Sequence, residues 1–357
     1  MTERKHNFNA GPAALPYSVL EQVHSQLLDF DKLGLSLMEM SHRSPEFDQV
    51  INDAKASLTR LYSIPDTHEV MFLQGGASLQ FAMIPYNLGP GGAYINTGTW
   101  STRAYKEACT IGTADEIWSD EGSGFKHVPQ PDELPSLPAD STYLHYTSNN
   151  TIYGTQYQYV PDTELPLICD MSSDFISRPI NVADFDLIYA GAQKNAGPSG
   201  VTVLIIKKAI SRQFDGDART PKILRYLTQA EKGSMYNTPN TFGIWVIKLV
   251  AEWVESQGGL AAIHKLNQAK ANRLYGVIDA HPLCVGHATD VSRSLMNVTF
   301  RMDSADREQA FIDLCKDKGI IGMKGHRSVG GLRASIYNAV PQSSVETLAE
   351  LLASFRG

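Results

Sequence analysis

Four groups of residues in this sequence have side chains suited to chemistry, and their order along the chain matters. The first is Gly75-Gly76-Ala77-Ser78. Small residues between a strand and a helix let backbone N–H groups converge on an anion, and Ser78 adds a hydroxyl. A plain Gly-Gly turn with a serine cap has the same letters. The second is Trp100, whose flat face suits stacking on an aromatic ring or packing in a core. The third is Asp170, at the carboxyl end of the apolar run Leu167-Ile168-Cys169. A carboxylate there needs a cationic or N–H partner, and a ring nitrogen, a metal or a following helix would each serve. No His/Asp/Glu cluster lies nearby to complete a metal site, so no metal is expected.

The fourth is Lys194. It follows the strand-like run Leu187-Ile188-Tyr189-Ala190 and Gly191, and precedes a second apolar run, Val201 to Ile206. An amine held in a desolvated pocket has a lowered pKa, as Schiff-base chemistry requires. A surface lysine on a hairpin turn is the plain alternative. Taken jointly, an anion cradle, an aromatic plate, a strand-end Asp and a strand-end Lys are what pyridoxal phosphate asks for. They supply a phosphate seat, ring stacking, a partner for the ring nitrogen and a Schiff-base amine.

These residues must be carried by suitable elements. Short apolar runs at Val70–Leu73, Ala93–Asn96, Glu116–Trp118, Tyr143–Tyr146, Leu167–Asp170 and Leu187–Ala190 read as strands. Helical patterns fall between them: Pro16–Asp29, Glu46–Leu61, Leu79–Ile84 and Ser101–Ala108. That alternation implies an α/β fold whose largely parallel sheet is covered on both faces, with ligands beyond the strands' carboxyl ends. A long helix over Phe242–Ser256 stops at Gln257-Gly258-Gly259, which places a domain boundary near Gly258. The remainder reads as α+β. Its parts are a strand at Met296–Phe300, a helix at Glu308–Lys316, a Gly-rich loop over Gly322–Gly331, a strand at Leu332–Ile336 and a final helix from Val345.

The 357 residues suffice for two domains at roughly 150 residues each. A hydrophobic share of 43% and a charged share of 19% suit a soluble globular protein. No apolar run nears the ~18 residues of a membrane span, and MTERKHNFNAGPAALP lacks a signal-peptide core, so the expectation is cytoplasmic. Cys109, Cys169, Cys284 and Cys315 make no metal spacing and are expected to be reduced, buried packing residues. The net charge of −7, with no basic block, argues against nucleic acid as partner. It also means that an anionic substrate needs local cations, which His42, Arg43, His326, Arg327 and Arg333 could provide.

The segments SHRSPEF (41–47), QGGASLQF (74–81), YAGAQKNAGPSG (189–200), MYNTPNT (235–241) and KGHRSVGGLRASIYNA (324–339) closely resemble the phosphoserine aminotransferase family. These are fold-type I pyridoxal-phosphate enzymes among the class V aminotransferases. The resemblance runs from FNAGPAALP (8–16) to the closing helix. It implies a large cofactor-binding domain over residues 17–258, with a mostly parallel seven-stranded sheet. Residues 1–16 and 259–357 would form a smaller α+β domain.

By resemblance, Lys194 carries one pyridoxal phosphate per subunit and Asp170 keeps its ring nitrogen protonated. Trp100 stacks on the ring, Thr151 bonds near its 3-hydroxyl, and Ala77, Ser78 and Gln193 hold its phosphate. Asn237 and Thr238 reach the phosphate of a neighbouring subunit, which implies a homodimer with interfacial sites. Arg333 takes the substrate α-carboxylate; His42, Arg43, His326 and Arg327 take the distal anion. Some members carry an arginine where this chain has Ser78, so the phosphate here leans on neutral donors. The implied reaction is ping-pong transamination between L-glutamate and 3-phosphohydroxypyruvate, giving O-phospho-L-serine and 2-oxoglutarate for serine biosynthesis. For some bacteria it extends to phosphohydroxythreonine in the vitamin B6 route. The alternatives are an alanine- or serine–glyoxylate aminotransferase, a lyase of the cysteine desulfurase kind, or a non-catalytic module of the same fold. The desulfurase kind needs a thiol on a mobile loop, and no cysteine lies in such a Gly/Ser-rich loop.

Overall fold

Strands that are apolar on both sides must be covered on both faces, and every residue of Leu167–Asp170 and Leu187–Gly191 is buried in the structure. This computed structural model describes residues 4–214 and 216–357. The first three residues of the N-terminal segment, and of the expected small domain, lie outside it. The chain begins with β1 (His6–Asn7), α1 (Tyr17–Gln26), α2 (Pro45–Tyr62), β2 (His68–Leu73), α3 (Gly76–Leu88), β3 (Gly92–Asn96), α4 (Thr99–Ile111) and β4 (Ala114–Ser119). It continues through β5 (Tyr143–Thr147), β6 (Asn149–Asn150), β7 (Thr155–Gln156), β8 (Leu167–Asp170), β9 (Leu187–Gly191), β10 (Thr202–Lys207), α5 (Lys208–Ser211) and α6 (Tyr226–Glu231). The last part holds α7 (Thr241–Ser256), α8 (Gly259–Ala280), β11 (Cys284–Gly286), β12 (Asn297–Met302), α9 (Ala305–Asp317), β13 (Ile320–Ile321), β14 (Leu332–Ser335) and α10 (Gln342–Ser354).

The main sheet has seven strands in the order β2-β10-β9-β8-β5-β3-β4. Its neighbours pair in parallel except β10, which runs antiparallel to both β9 and β2. Two apolar clusters cover it. One joins α2 and α7 to alternate strand residues such as Ile188, Ala190 and Val203. The other joins α3 and α4 to Tyr189, Leu204 and Ile168 on the opposite face. A separate core gathers Phe8 and Ala14 with Ala271 to Phe355, around the three-stranded sheet β11-β12-β14.

Local chemistry explains the helix boundaries. Ser44 caps α2 by accepting from the Phe47 N–H at 3.3 Å, with Pro45 in the first turn. Helix α3 starts three residues earlier than the apolar pattern suggests, and it runs through Pro85 to Leu88. The reason is tertiary: buried Gln80, Met83, Ile84 and Asn87 hold a segment that proline would otherwise end. The N-terminal segment, irregular by sequence, adds β1 in parallel to β13. The β6–β7 hairpin and β11 had no sequence signal, since each strand spans only two or three residues.

All four cysteines are free, but only Cys169 and Cys315 are buried. Cys109 is exposed, because α4 turns Ala104 and Ala108 inward and leaves the next position outside. Among the described residues, no helix is long and apolar enough to cross a membrane, and no cluster of metal-ligating side chains occurs.

Candidate active site

The site lies beyond the carboxyl ends of the parallel strands. Strand β9 ends at Gly191, and a tight turn then delivers Lys194. The turn is fixed by Ala196 N–H donating to Ala192 O at 3.1 Å and Gly197 N–H to the same carbonyl at 2.8 Å. The neighbouring strand β8 ends on Asp170 itself. Trp100 sits in the first turn of α4, directly after β3. Thr151 lies in the β6–β7 hairpin that follows β5.

These elements converge on one amine. Lys194 Nζ donates to Thr151 Oγ1 at 2.7 Å and to Ser173 Oγ at 2.9 Å, and those two hydroxyls bond each other at 2.6 Å. It also stands 5.6 Å from the centre of the Trp100 ring. Burial pushes the amine down to about 8, against the upward pull of Asp170, and Arg333 adds to the lowering. Asp170 is pushed the other way, above the usual carboxylate range, because its burial outweighs the Lys194 charge and two bonds from Ser172. Both shifts have one origin: taking the pair out of water costs more than their attraction returns.

The residues present fit pyridoxal phosphate. Asp170 Oδ1 accepts from Ser172 N–H at 2.9 Å and Ser172 Oγ at 2.6 Å, while Oδ2 has no protein donor among the described residues. A protonated ring nitrogen would supply that missing cation. The buried Trp100 Nε1 likewise has no acceptor. Gly75 takes φ +93°, a conformation that glycine adopts freely, and α3 starts at Gly76. Ala77 and Ser78 therefore fall in the first helical turn, where N–H groups are unpaired and the helix end favours an anion. Ser78 is exposed and Gln193 half-buried.

The substrate residues divide. Arg333 Nη1 donates to Thr151 O at 3.1 Å and its Nε is buried without a partner, so part of the fork is free beside Lys194. His326 is held below its ordinary pKa by partial burial and by Arg333, Arg327 and Arg103, which places it in a cation cluster within the same chain. Arg327 is exposed. His42 and Arg43 make no hydrogen bond or ion pair with Lys194, Asp170 or Arg333 among the described residues; they lead into α2. Asn237 and Thr238 are exposed, and Thr238 O accepts from Gln74 Nε2 at 2.8 Å.

Sequence reasoning missed several neighbours. Ser172 and Ser173 follow Asp170 almost directly, and two hydroxyls after a strand-end carboxylate were the available signal. Arg103 lies one turn beyond Trp100, with its guanidinium carbon 5.0 Å from that ring's centre. The N-terminal segment packs on the lysine. A Cβ on Gly11 would lie 3.4 Å from Lys194 Cγ, and Ala13 N–H donates to Gln193 O at 2.9 Å. Asn9 to Pro12 and Arg333 border a cavity of about 690 Å³. Only the fold brings these distant residues together.

Comparison with known proteins places the chain in a family. The class-V aminotransferase family profile matches residues 5–348. A phosphoserine aminotransferase of Halalkalibacterium halodurans is 52% identical over 99% of this chain and 98% of its own length. The structure of the enzyme from Bacillus circulans subsp. alkalophilus superposes with a TM-score of 0.95 at 46% identity, covering 98% of each chain. A pyridoxal-phosphate-bound phosphoserine aminotransferase from Trichomonas vaginalis superposes with a TM-score of 0.92 at 36% identity, covering 98% of this chain and 99% of that one. The chain belongs to the class-V aminotransferases and, within them, to the phosphoserine aminotransferase family, whose cofactor is pyridoxal phosphate.

Proposed function

We propose that the chain moves an amino group from L-glutamate to 3-phosphohydroxypyruvate, forming O-phospho-L-serine and 2-oxoglutarate, with Lys194 as the reactive amine. The observation that carries this reading is the Lys194 amine itself. It sits against Thr151 and Ser173, faces Trp100, and titrates down to about 8. Bound pyridoxal phosphate supplies an electron sink for the charge left when a substrate Cα loses its proton.

The protein's residues do the rest. Ala77, Ser78 and Gln193 would seat the cofactor's phosphate, Trp100 would cover its ring, and Asp170 would hold its ring nitrogen protonated. Thr151 has a dual contact: its hydroxyl touches the lysine and its carbonyl holds Arg333. With a pKa near ambient pH, the Lys194 amine can accept a Cα proton and return it. Arg333 grips the α-carboxylate in the two-point fashion of a guanidinium fork. His326 and Arg327 receive the distal phosphate or carboxylate, and their charge offsets the net −7 of the chain.

We place the division between a large unit, residues 17–258, and a small unit, 1–16 with 259–357, at Gly258. Separate apolar cores support two units, with Leu260 and Ile263 at the start of α8 still packed in the large unit's core and α8 joining the small one from Ala271. We also propose a homodimer in which Asn237, Thr238, His42 and Arg43 complete the partner's site. Their support is that none of them joins the Lys194 group of its own chain, while Tyr236 beside Asn237 is a large apolar residue 42% exposed. Borohydride reduction of the cofactor-loaded protein, followed by peptide mass analysis, tests the central point. A reduced cofactor on Lys194 supports the reading; an unmodified Lys194 overturns it.

A further inference from the structure

Ser173, which touches the lysine amine, lies in a turn that follows β8. Ile176 in that turn takes φ +52°, a left-handed conformation that a β-branched side chain strongly disfavours. Its side chain is fully buried, so the conformation is imposed from outside. Three consecutive carbonyls here are each taken by an asparagine amide. Phe175 O accepts from Asn195 Nδ2 at 2.7 Å, Ile176 O from Asn338 Nδ2 at 2.8 Å, and Ser177 O from Asn267 Nδ2 at 3.4 Å. The three asparagines are themselves linked. Asn338 N–H donates to Asn195 Oδ1 at 3.0 Å, and Asn267 Nδ2 donates to Asn338 Oδ1 at 2.8 Å. On the other side of the turn, Ile176 N–H donates to the Tyr62 hydroxyl.

These asparagines come from three places: the residue after Lys194, the middle of α8, and the segment five residues beyond Arg333. We propose that Asn338 is a positioning residue for the lysine. Its amide holds Ile176 in the left-handed conformation and so keeps Ser173 Oγ against Lys194 Nζ, at a fixed offset from Arg333. The same segment is anchored independently by Lys270 Nζ, which donates to Ile336 O at 2.8 Å, Tyr337 O at 2.7 Å and Val340 O at 3.2 Å. Removing the Asn338 amide therefore loosens the Ser173 turn rather than the strand that carries Arg333. This inference rests on Lys194 being the reactive amine.

The test reads the lysine directly. In cofactor-free protein, the pH dependence of Lys194 reductive methylation is followed by peptide mass analysis. The charged groups acting on this amine are Asp170 and Asp174 on and after β8 and Arg333 on β14, and none of them is altered. With Asn338→Ala, which adds no charge, a loosened turn admits water, and the midpoint rises by about 1 pH unit as desolvation weakens. In the loaded enzyme, kcat falls roughly tenfold, one unit of the same shift. Adding Ile176→Gly to Asn338→Ala recovers at least half of the rise, because glycine takes that φ unaided. A midpoint that stays in place while the melting temperature falls overturns the proposal, and so does a double variant without recovery. If the Asn338 variants do not fold, Tyr62→Phe loosens Ile176 from its other side and must give the same rise. Absence of trapped cofactor on Lys194 in the unsubstituted protein overturns the functional reading itself. Trapping with an unmoved midpoint overturns only the role of Asn338.

Discussion

Two lysines are withdrawn from solvent to different degrees, half-buried Lys194 at the end of the main sheet and fully buried Lys270 in the core beside the small sheet, and they differ instructively. Burial pushes Lys194 down to about 8 and Lys270 down to about 7. On that measure Lys270 is the better candidate nucleophile. Its partners say otherwise. All three Lys270 contacts are main-chain carbonyls, which favour the ammonium form and close around it, and only 2% of the residue is exposed. Lys194 instead meets two hydroxyls, which serve as donor or acceptor, and an aromatic face. A lowered pKa makes an amine available, but only partners that tolerate both protonation states, beside an open approach, make it reactive.

Breaking the Lys194 side has the largest effect. Lys194→Ala should lower kcat by roughly ten-thousand-fold, the upper range for a positioned acid–base group. Lys270 should not take its place: reduction with borohydride in that variant should leave Lys270 free of cofactor. Next comes Asp170→Asn, which keeps the shape and removes the charge proposed to answer the ring nitrogen. Its kcat should fall by about a hundred- to a thousand-fold, as when a preorganised electrostatic contact is lost, with little change in melting temperature.

Lys270→Met sharpens the contrast from the other side, since its effect should appear in stability. Three buried carbonyls lose their donor, at about 1–3 kcal/mol each. The pH dependence has a definite sign. Lys270 binds its proton less well folded than unfolded, so the unfolded chain holds more protons between about 7 and 10.5. Stability of the unsubstituted protein should rise with pH across that window, and the three carbonyls move its lower edge upward. In Lys270→Met this rise should flatten in a denaturation series. The smallest change is expected for exposed Arg327. Arg327→Gln should raise KM for the phosphorylated substrate by less than about fivefold, and the difference should vanish near 1 M salt. A large, salt-insensitive loss would mean that Arg327 is buried when the enzyme works.

Much of this was legible from residue order alone. The apolar runs of six main-sheet strands, the β2 edge included, and the positions of Asp170 and Lys194 at strand ends follow from composition and spacing, while the β4 edge strand is partly polar and exposed. Burial on both faces demands uninterrupted apolar strands, and a polar residue can enter only where a strand stops. The family segments carried the assignment of pyridoxal phosphate and of the aminotransferase class. The start of α3 at Gly76 was not legible, because glycines at a helix start look like a loop until the turn is closed.

The sequence by itself determined which chemistry the chain can host: a lysine, a carboxylate, an aromatic plate and an anion seat, in the order a parallel sheet presents them. Only the tertiary structure decided what surrounds the lysine. Ser173, Gly11, Arg333 and Asn338 are 21, 183, 139 and 144 positions from Lys194, as counted along the chain. Three of these four separations exceed anything that a local pattern spans. The physical reason is that pKa, hydrogen bonding and access are properties of a position in space, and sequence spacing encodes such properties only within one element.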